Sequence, residues 1–149
     1  MRRAAALACL AALIACAPAA LADTAGADAA SLRLRFDNLR GGGKVVVALF
    51  SQESRWRARD GAMRTTDVPV AAGGSVEAAF EGLPPGRYAV MAYHDRNADG
   101  RLNTLPVGMP TEPYGFSNDA RGMFGPPPWR SASFEVSAGR ETRQAIRLF

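Results

Sequence analysis

Val76-Glu77-Ala78-Ala79-Phe80-Glu81-Gly82-Leu83-Pro84-Pro85-Gly86-Arg87-Tyr88-Ala89-Val90-Met91-Ala92-Tyr93 is the stretch from which the fold is read. Val76, Ala78 and Phe80 alternate with Glu77 and Glu81, the period of two that puts one strand face on a core and the other in water. Gly82 to Gly86 then turns the chain, with two prolines that preset the backbone and glycines that permit positive φ. Tyr88, Val90 and Ala92 alternate with Ala89, Met91 and Tyr93 in a second strand. Two such runs around a short turn predict an antiparallel pair.

The same pattern extends outward from this pair. Upstream, Leu32, Leu34 and Phe36 alternate with Arg33 and Arg35, and Asn38 to Gly43 is a turn holding three consecutive glycines. Val45 to Phe50 is a continuous apolar run, as in a central strand. Ser51 to Arg64 reads as a polar loop with Trp56 and Met63 tucked down as plugs. Val68 to Ala72 reads as a short edge strand, because Pro69 lacks a ladder donor. Downstream, Ala132, Phe134 and Val136 form one strand, and Ile146 and Leu148 mark another. About seven short strands without an amphipathic helix predict an all-β, antiparallel β-sandwich. Its single core should hold Leu34, Val47, Phe80, Val90, Phe134 and Ile146. The 149 residues suffice for one such domain, placed at residues 32–149.

The N-terminus reads as a targeting segment over residues 1–22. Arg2 and Arg3 supply the positive start, Ala4 to Ala17 the apolar stretch, and Ala20-Leu21-Ala22 the small residues before a cut at Asp23. A second cut competes with it, since Leu13-Ile14-Ala15-Cys16 resembles a lipobox whose Cys16 would be lipidated. Both readings deliver the domain outside the cytoplasm, periplasmic or secreted in one case and membrane-anchored in the other. Residues 23–31 are a small, polar tether. Cys9 and Cys16 are the only cysteines, so the domain after the signal has none for a disulfide. Losing Arg2 and Arg3 takes the formal charge from +4 to +2, and the arginines form no run, which excludes a nucleic-acid partner. A membrane partner is expected only through a lipidated Cys16.

Between the strands ending at Tyr93 and starting at Ala132, periodicity disappears. Tyr93-His94-Asp95-Arg96-Asn97-Ala98-Asp99-Gly100-Arg101-Leu102 is followed by Pro110-Thr111-Glu112-Pro113-Tyr114-Gly115-Phe116-Ser117-Asn118 and by Gly125-Pro126-Pro127-Pro128-Trp129. Such a long loop in a compact domain is usually functional or disordered, and its aromatics argue against disorder. The Phe80 to Tyr88 turn resembles transthyretin-like and carboxypeptidase-regulatory-like sandwiches. The Tyr93–Asn118 pattern with the later Gly125-Pro126-Pro127 resembles, more closely, the secreted bacterial domain of unknown function family 2141, over about residues 31–149. That resemblance implies a small extracytoplasmic β-sandwich and brings no activity with it.

Asp95, Asn97 and Asp99 place oxygens at alternate positions, with Gly100 sixth and the Arg101 backbone carbonyl seventh. That is how an EF-hand calcium loop begins. Leu102 would pin the turn to the core. The twelfth position, normally a bidentate Glu, is Pro106; Glu112 or Asp119 would have to close the shell through the fold. The family pattern carries an Asp after the Leu and an Asn two residues on, where this chain has Asn103 and Leu105, one charge and one oxygen fewer. An Asx-rich turn without an ion explains the same residues. His94, the only histidine, shares a face with Tyr88, Val90 and Ala92 and should be buried against the loop backbone. Tyr114, Phe116, Phe124 and Trp129 either pave a ligand platform or plug the loop onto the sheet.

No nucleophile elbow, zinc-protease helix or phosphate-cradling loop is present. The leading expectation is an exported, non-catalytic module whose Tyr93–Trp129 loop is ordered by Ca²⁺ and meets an unknown ligand or envelope partner. Two other readings stand beside it: an extracytoplasmic hydrolase using His94, Asp95 and Glu112, and a structural envelope lipoprotein anchored at Cys16.

Overall fold

The computed structural model describes residues 29–123 and 125–149. The expectations for the targeting segment, for Cys16, for tether residues 23–28 and for Phe124 lie outside these described residues. Eight strands follow in order: β1 (Ala30–Leu39), β2 (Lys44–Phe50), β3 (Arg64–Pro69), β4 (Gly74–Leu83), β5 (Gly86–Asp95), β6 (Tyr114–Phe116), β7 (Phe134–Val136) and β8 (Glu141–Arg147). Two short helices, α1 (Glu53–Ala58) and α2 (Trp129–Ala132), and a 3₁₀ turn at Ser117–Asp119 lie between them.

One sheet has the order β4-β1-β8; the other runs β3-β2-β5-β6, with β7 pairing the start of β5. The alternating side chains meet between the sheets as the sequence predicts. Leu34, Val47, Phe80, Val90, Phe134 and Ile146 all belong to one buried cluster. The opposite face of β2 and β5 is also covered. Phe50 and Ala89 pack there with Trp56, Phe116 and Ala132, joined by Met91, Tyr114 and Trp129. The five-stranded sheet is therefore apolar on both faces, which explains the unbroken Val45–Phe50 run.

Several expectations need correction. The β1–β8 pairing is parallel, with Leu32 opposite Thr142 and Phe36 opposite Ile146; strand polarity is set by partners distant in sequence, which periodicity does not encode. β1 starts at Ala30, inside the expected tether, because Ala30 is buried and pairs with Leu83. β3 starts at Arg64 rather than Val68, carried by the β-branched Thr65 and Thr66 along β2. The expected Ser51–Arg64 loop contains α1, tied by an i,i+4 pair between Glu53 and Arg57 and ended by Arg59 in the left-handed region. Trp56 is the plug expected, fully buried, whereas Met63 is 41% exposed and plugs nothing.

Strand β6 interrupts the long loop and holds it. Tyr114 N donates to the Phe149 carbonyl and Phe149 N to the Tyr114 carbonyl, both at 3.1 Å. The outer edge of β8 is covered by the Ser117–Asp119 turn, where Arg147 N donates to Asp119 Oδ1 at 2.9 Å. An edge strand that would otherwise offer free backbone groups is thus capped.

Candidate functional site

Strand β5 delivers His94 and Asp95 at its end, and alternation sends their side chains to opposite faces. His94 follows Tyr88, Val90 and Ala92 inward and is fully buried. Its Nε2 donates to the Gly42 carbonyl at 2.8 Å. A carbonyl only accepts, so Nε2 carries a proton, while Nδ1 is buried without a hydrogen-bond partner. The His94 ring therefore ties the β1–β2 turn to the sheet end, while its own backbone N donates to the Pro113 carbonyl of the long loop at 2.7 Å.

Asp95, also fully buried, spends its carboxylate on the loop. Oδ1 accepts from Asp99 N at 3.2 Å and Oδ2 from Gly100 N at 2.7 Å. Glu112, buried as well, does the same across the loop: Oε1 accepts from Arg96 N and Oε2 from Asn103 N, each at 3.0 Å. Two carboxylates thus gather four backbone amides, each a charge-assisted bond of about 1.5–3 kcal/mol. Gly100 has φ +78, the left-handed conformation that the sharp turn requires.

The rest of the turn is more exposed. Asp99 Oδ1 accepts from Arg101 N at 2.8 Å and Oδ2 from Asn97 Nδ2 at 2.9 Å. These bonds, the Arg101 amide foremost and the Asn97 amide next, hold the Asp99 carboxyl below the usual carboxylate range. The Asn103 amide lies across the same turn. With its nitrogen inward it donates to the Arg101 carbonyl at 3.2 Å and Asp99 Oδ2 at 3.1 Å, while its oxygen accepts from Asn97 Nδ2 at 3.1 Å.

The expected ligands thus divide. Asp95, Asn97, Asp99 and the Arg101 carbonyl share one turn, and Glu112 stands beside them. Asp119 does not: it follows β6 beyond Phe116, which pairs with Met91, so it lies toward the opposite end of β5 from Asp95. Asn103, at the ninth position of the loop template, has a structural part that spacing does not reveal: its amide cross-ties Asp99, the Arg101 carbonyl and Asn97. Among the described residues, no three His, Cys, Asp or Glu side chains come together as a metal-holding group. A cation here would rest on two carboxylates, amide oxygens and a carbonyl, a donor set that fits calcium weakly bound.

Tyr114, Phe116 and Trp129 pack down onto the sheet as plugs. Trp56 sits edge-on to Phe50 and Phe116, both at 5.6 Å, and to Trp129 at 6.1 Å. Its Nε1 donates to the Pro127 carbonyl at 2.8 Å, fixing the triple-proline return path. Phe116 is buried, and Tyr114 and Trp129 are half-buried, because a long loop without a disulfide needs apolar anchors. Ser117, fully buried, donates to the Ala132 carbonyl at 2.6 Å and accepts from Val90 N at 2.9 Å. Nothing in the alternation marks Ser117; only its place in a Gly-Phe-Ser-Asn run hints at a tight junction.

Tyr93 reports on this site. Burial first, and then the carboxylates of Asp95, Asp67, Glu112 and Asp99, push its phenol up to about 12. An ultraviolet titration should show a tyrosine ionising near that value, and Tyr93→Phe should remove it. The folded pKa is raised, so the contribution to stability is intact below the ordinary tyrosine value of ~10 and is lost as pH climbs through about 12. A titration with every tyrosine at the ordinary value would contradict this geometry.

Fold and site together define a class: an all-β sandwich carrying a long loop cross-tied by buried carboxylates. The chain matches, over residues 36–144, the family described as "Uncharacterized protein conserved in bacteria (DUF2141)", and it belongs to that family. No curated protein and no solved structure matches it.

Proposed function

We propose that this domain is a non-catalytic, extracytoplasmic module whose Tyr93–Trp129 segment is a contact surface, and that Ca²⁺ at the Asp95–Asn103 turn stiffens it. The observation that carries the reading is the use of Asp95 and Glu112. Both are buried and both spend their oxygens on backbone amides of the loop. A general acid or base must reach a substrate proton; these carboxylates reach the chain itself. His94 supports the same reading, since its one ring hydrogen bond goes to a backbone carbonyl rather than to a carboxylate. The loop spacing supports the ion: Asp95, Asn97 and Asp99 supply oxygens at alternate positions, with Gly100 sixth and the Arg101 carbonyl seventh.

With two carboxylates, affinity should fall in the ~10⁻⁴–10⁻³ M range of extracellular calcium modules. Calcium at ten times Kd should then stabilise the fold by roughly 1.4 kcal/mol, a rise in Tm of about 4–8 °C. Asp99→Asn, which keeps the shape and removes the charge, should abolish that rise, as should Asn103→Ala. Mg²⁺ should do less, because it demands a tighter octahedral shell. Identical melting curves in millimolar calcium and in excess chelator would reduce this stretch to an Asx turn.

A further inference from the structure

Between β6 and the end of β8 lies a cavity of about 70 Å³. Its walls follow from the pairing there. Tyr114 and Phe149 exchange both backbone hydrogen bonds, so their side chains share one face. Phe116 and Arg147, two residues along each strand, share it too. The chain after β6 folds back over this face: Asp119 accepts from Arg147 N, and Arg121 lies over the Phe149 ring. The Arg121 guanidinium is 3.4 Å from that ring's centroid. Stacked this way, the planar fork is held in place while its N–H edges stay free. Arg147 brings a second guanidinium from β8. Among the described residues neither one makes an ion pair. Asp119 is the only side-chain carboxylate lining the cavity, and its Oδ1 is already engaged by Arg147 N.

We infer that this cavity binds the oxyanion group, carboxylate or phosphate, of a small ligand, with the Arg121 and Arg147 guanidiniums as its donors. The inference rests on the reading of the Tyr93–Trp129 segment as a contact surface and gives its β6 end a ligand class; it does not depend on the ion at the Asp95 turn. Size limits what enters. A site for a whole drug-sized molecule needs roughly 300–1,000 Å³, whereas about 70 Å³ holds a charged end group alone. The body of the ligand would lie outside, against the Phe149 ring, which is 46% exposed, and the half-buried Tyr114. Charge selects the group. Two guanidiniums against one carboxylate leave the cavity positive, which disfavours an ammonium or a metal cation and favours an anion. Shape narrows it further, because a guanidinium fork meets two oxygens of a carboxylate or phosphate at once.

The test titrates the full chain with inorganic phosphate and with acetate, in calcium-free buffer held at constant ionic strength with chloride, and follows backbone amide and arginine Nε–H signals by NMR. Saturable shifts at residues 114–122 and 147–149 are expected, with half-saturation on the order of 1 mM, as two charge-assisted guanidinium contacts supply. Arg121→Gln and Arg147→Gln should each weaken binding at least about tenfold. Phe149→Leu, which removes the ring under Arg121, should weaken it about threefold. Asp119→Asn keeps an oxygen for Arg147 N and removes the opposing charge, so it should tighten binding about threefold. Arg143→Gln deletes the same charge elsewhere on β8, from a guanidinium paired with Glu141, and should change nothing. Tighter phosphate than acetate marks the natural group as a phosphate, and the reverse order as a carboxylate; either supports the cavity. Shifts that never saturate, that spread over arginines outside the cavity, or that weaken equally in Arg143→Gln overturn the inference and leave two solvated arginines. Anion binding with no calcium-dependent Tm shift sinks the ion alone, and a Tm shift without anion binding sinks the cavity alone.

Discussion

Trp56→Ala should cost about 3–5 kcal/mol, a large share of the roughly 5–15 kcal/mol that holds a domain of this kind folded. Trp56 lies on a six-residue helix with no other buried residue, so propensity does little to hold it there. What fixes the helix is the indole, fully buried and edge-on to Phe50, Phe116 and Trp129. Truncation removes that area, leaves a cavity under the second face of the five-stranded sheet, and orphans the Pro127 carbonyl that Nε1 now satisfies. Trp56→Phe should keep most of the area and lose the hydrogen bond, at about 1–2 kcal/mol. Urea unfolding followed by circular dichroism measures both. Local consequences should appear first as faster exchange of the Ser131 and Ala132 amides, which donate to the Pro128 carbonyl at the end of the triple-proline segment. A loss below about 1.5 kcal/mol for the alanine variant would mean that the triple-proline segment is held by something other than Trp56.

That cluster also shows what alternation can and cannot reveal. Leu34, Val47, Phe80, Val90, Phe134 and Ile146 are spaced by the strand period, and they meet in one core. Phe50, Ala89 and Met91 face the other way, and their burial depends on a helix and a loop that arrive from elsewhere. Helix α1 is too short to show a period, and its sequence, Glu53-Ser54-Arg55-Trp56-Arg57-Ala58, reads as polar loop. Trp56 alone signals that something must cover it. The parallel β1–β8 pair was invisible for a related reason: Ile146 and Leu148 point inward whichever way the partner runs.

The turn at Asp95 was legible as chemistry before it was legible as geometry. Spacing of Asp95, Asn97, Asp99 and Gly100 announces a tight oxygen-lined turn with or without an ion. That Glu112 would bind Arg96 N and Asn103 N follows only from the hairpin that brings residue 112 back beside residue 96. Asp119 is also a carboxylate and only seven residues further on, yet it is spent on Arg147 N. Sequence distance from the turn does not separate the two carboxylates; the direction of β6 does.

Gly43→Ala should be the most damaging small change in this part of the molecule, at about 3–5 kcal/mol. Gly43 has φ +69, and a Cβ there would overlap the Asp95 carbonyl oxygen and come 2.7 Å from Arg96 Cα. Those atoms are backbone, and cannot swing aside as a side-chain end would. The β1–β2 turn presses here against the chain as it leaves β5, in the place that His94 fixes through Gly42. Gly42→Ala is the control. Gly42 has φ +93 but open space around its added Cβ, so only the backbone penalty of about 1–2 kcal/mol applies. The difference between the two variants isolates the close approach from the shared preference for positive φ. It also reaches the proposed cation site: pushing Asp95 and Arg96 outward separates Asp95 from Asp99 N and Gly100 N, and Arg96 N from Glu112. Gly43→Ala should therefore lose the calcium-dependent rise in Tm along with stability, whereas Gly42→Ala should keep it. Equal losses in the two variants would show that the turn does not brace the Asp95 cradle.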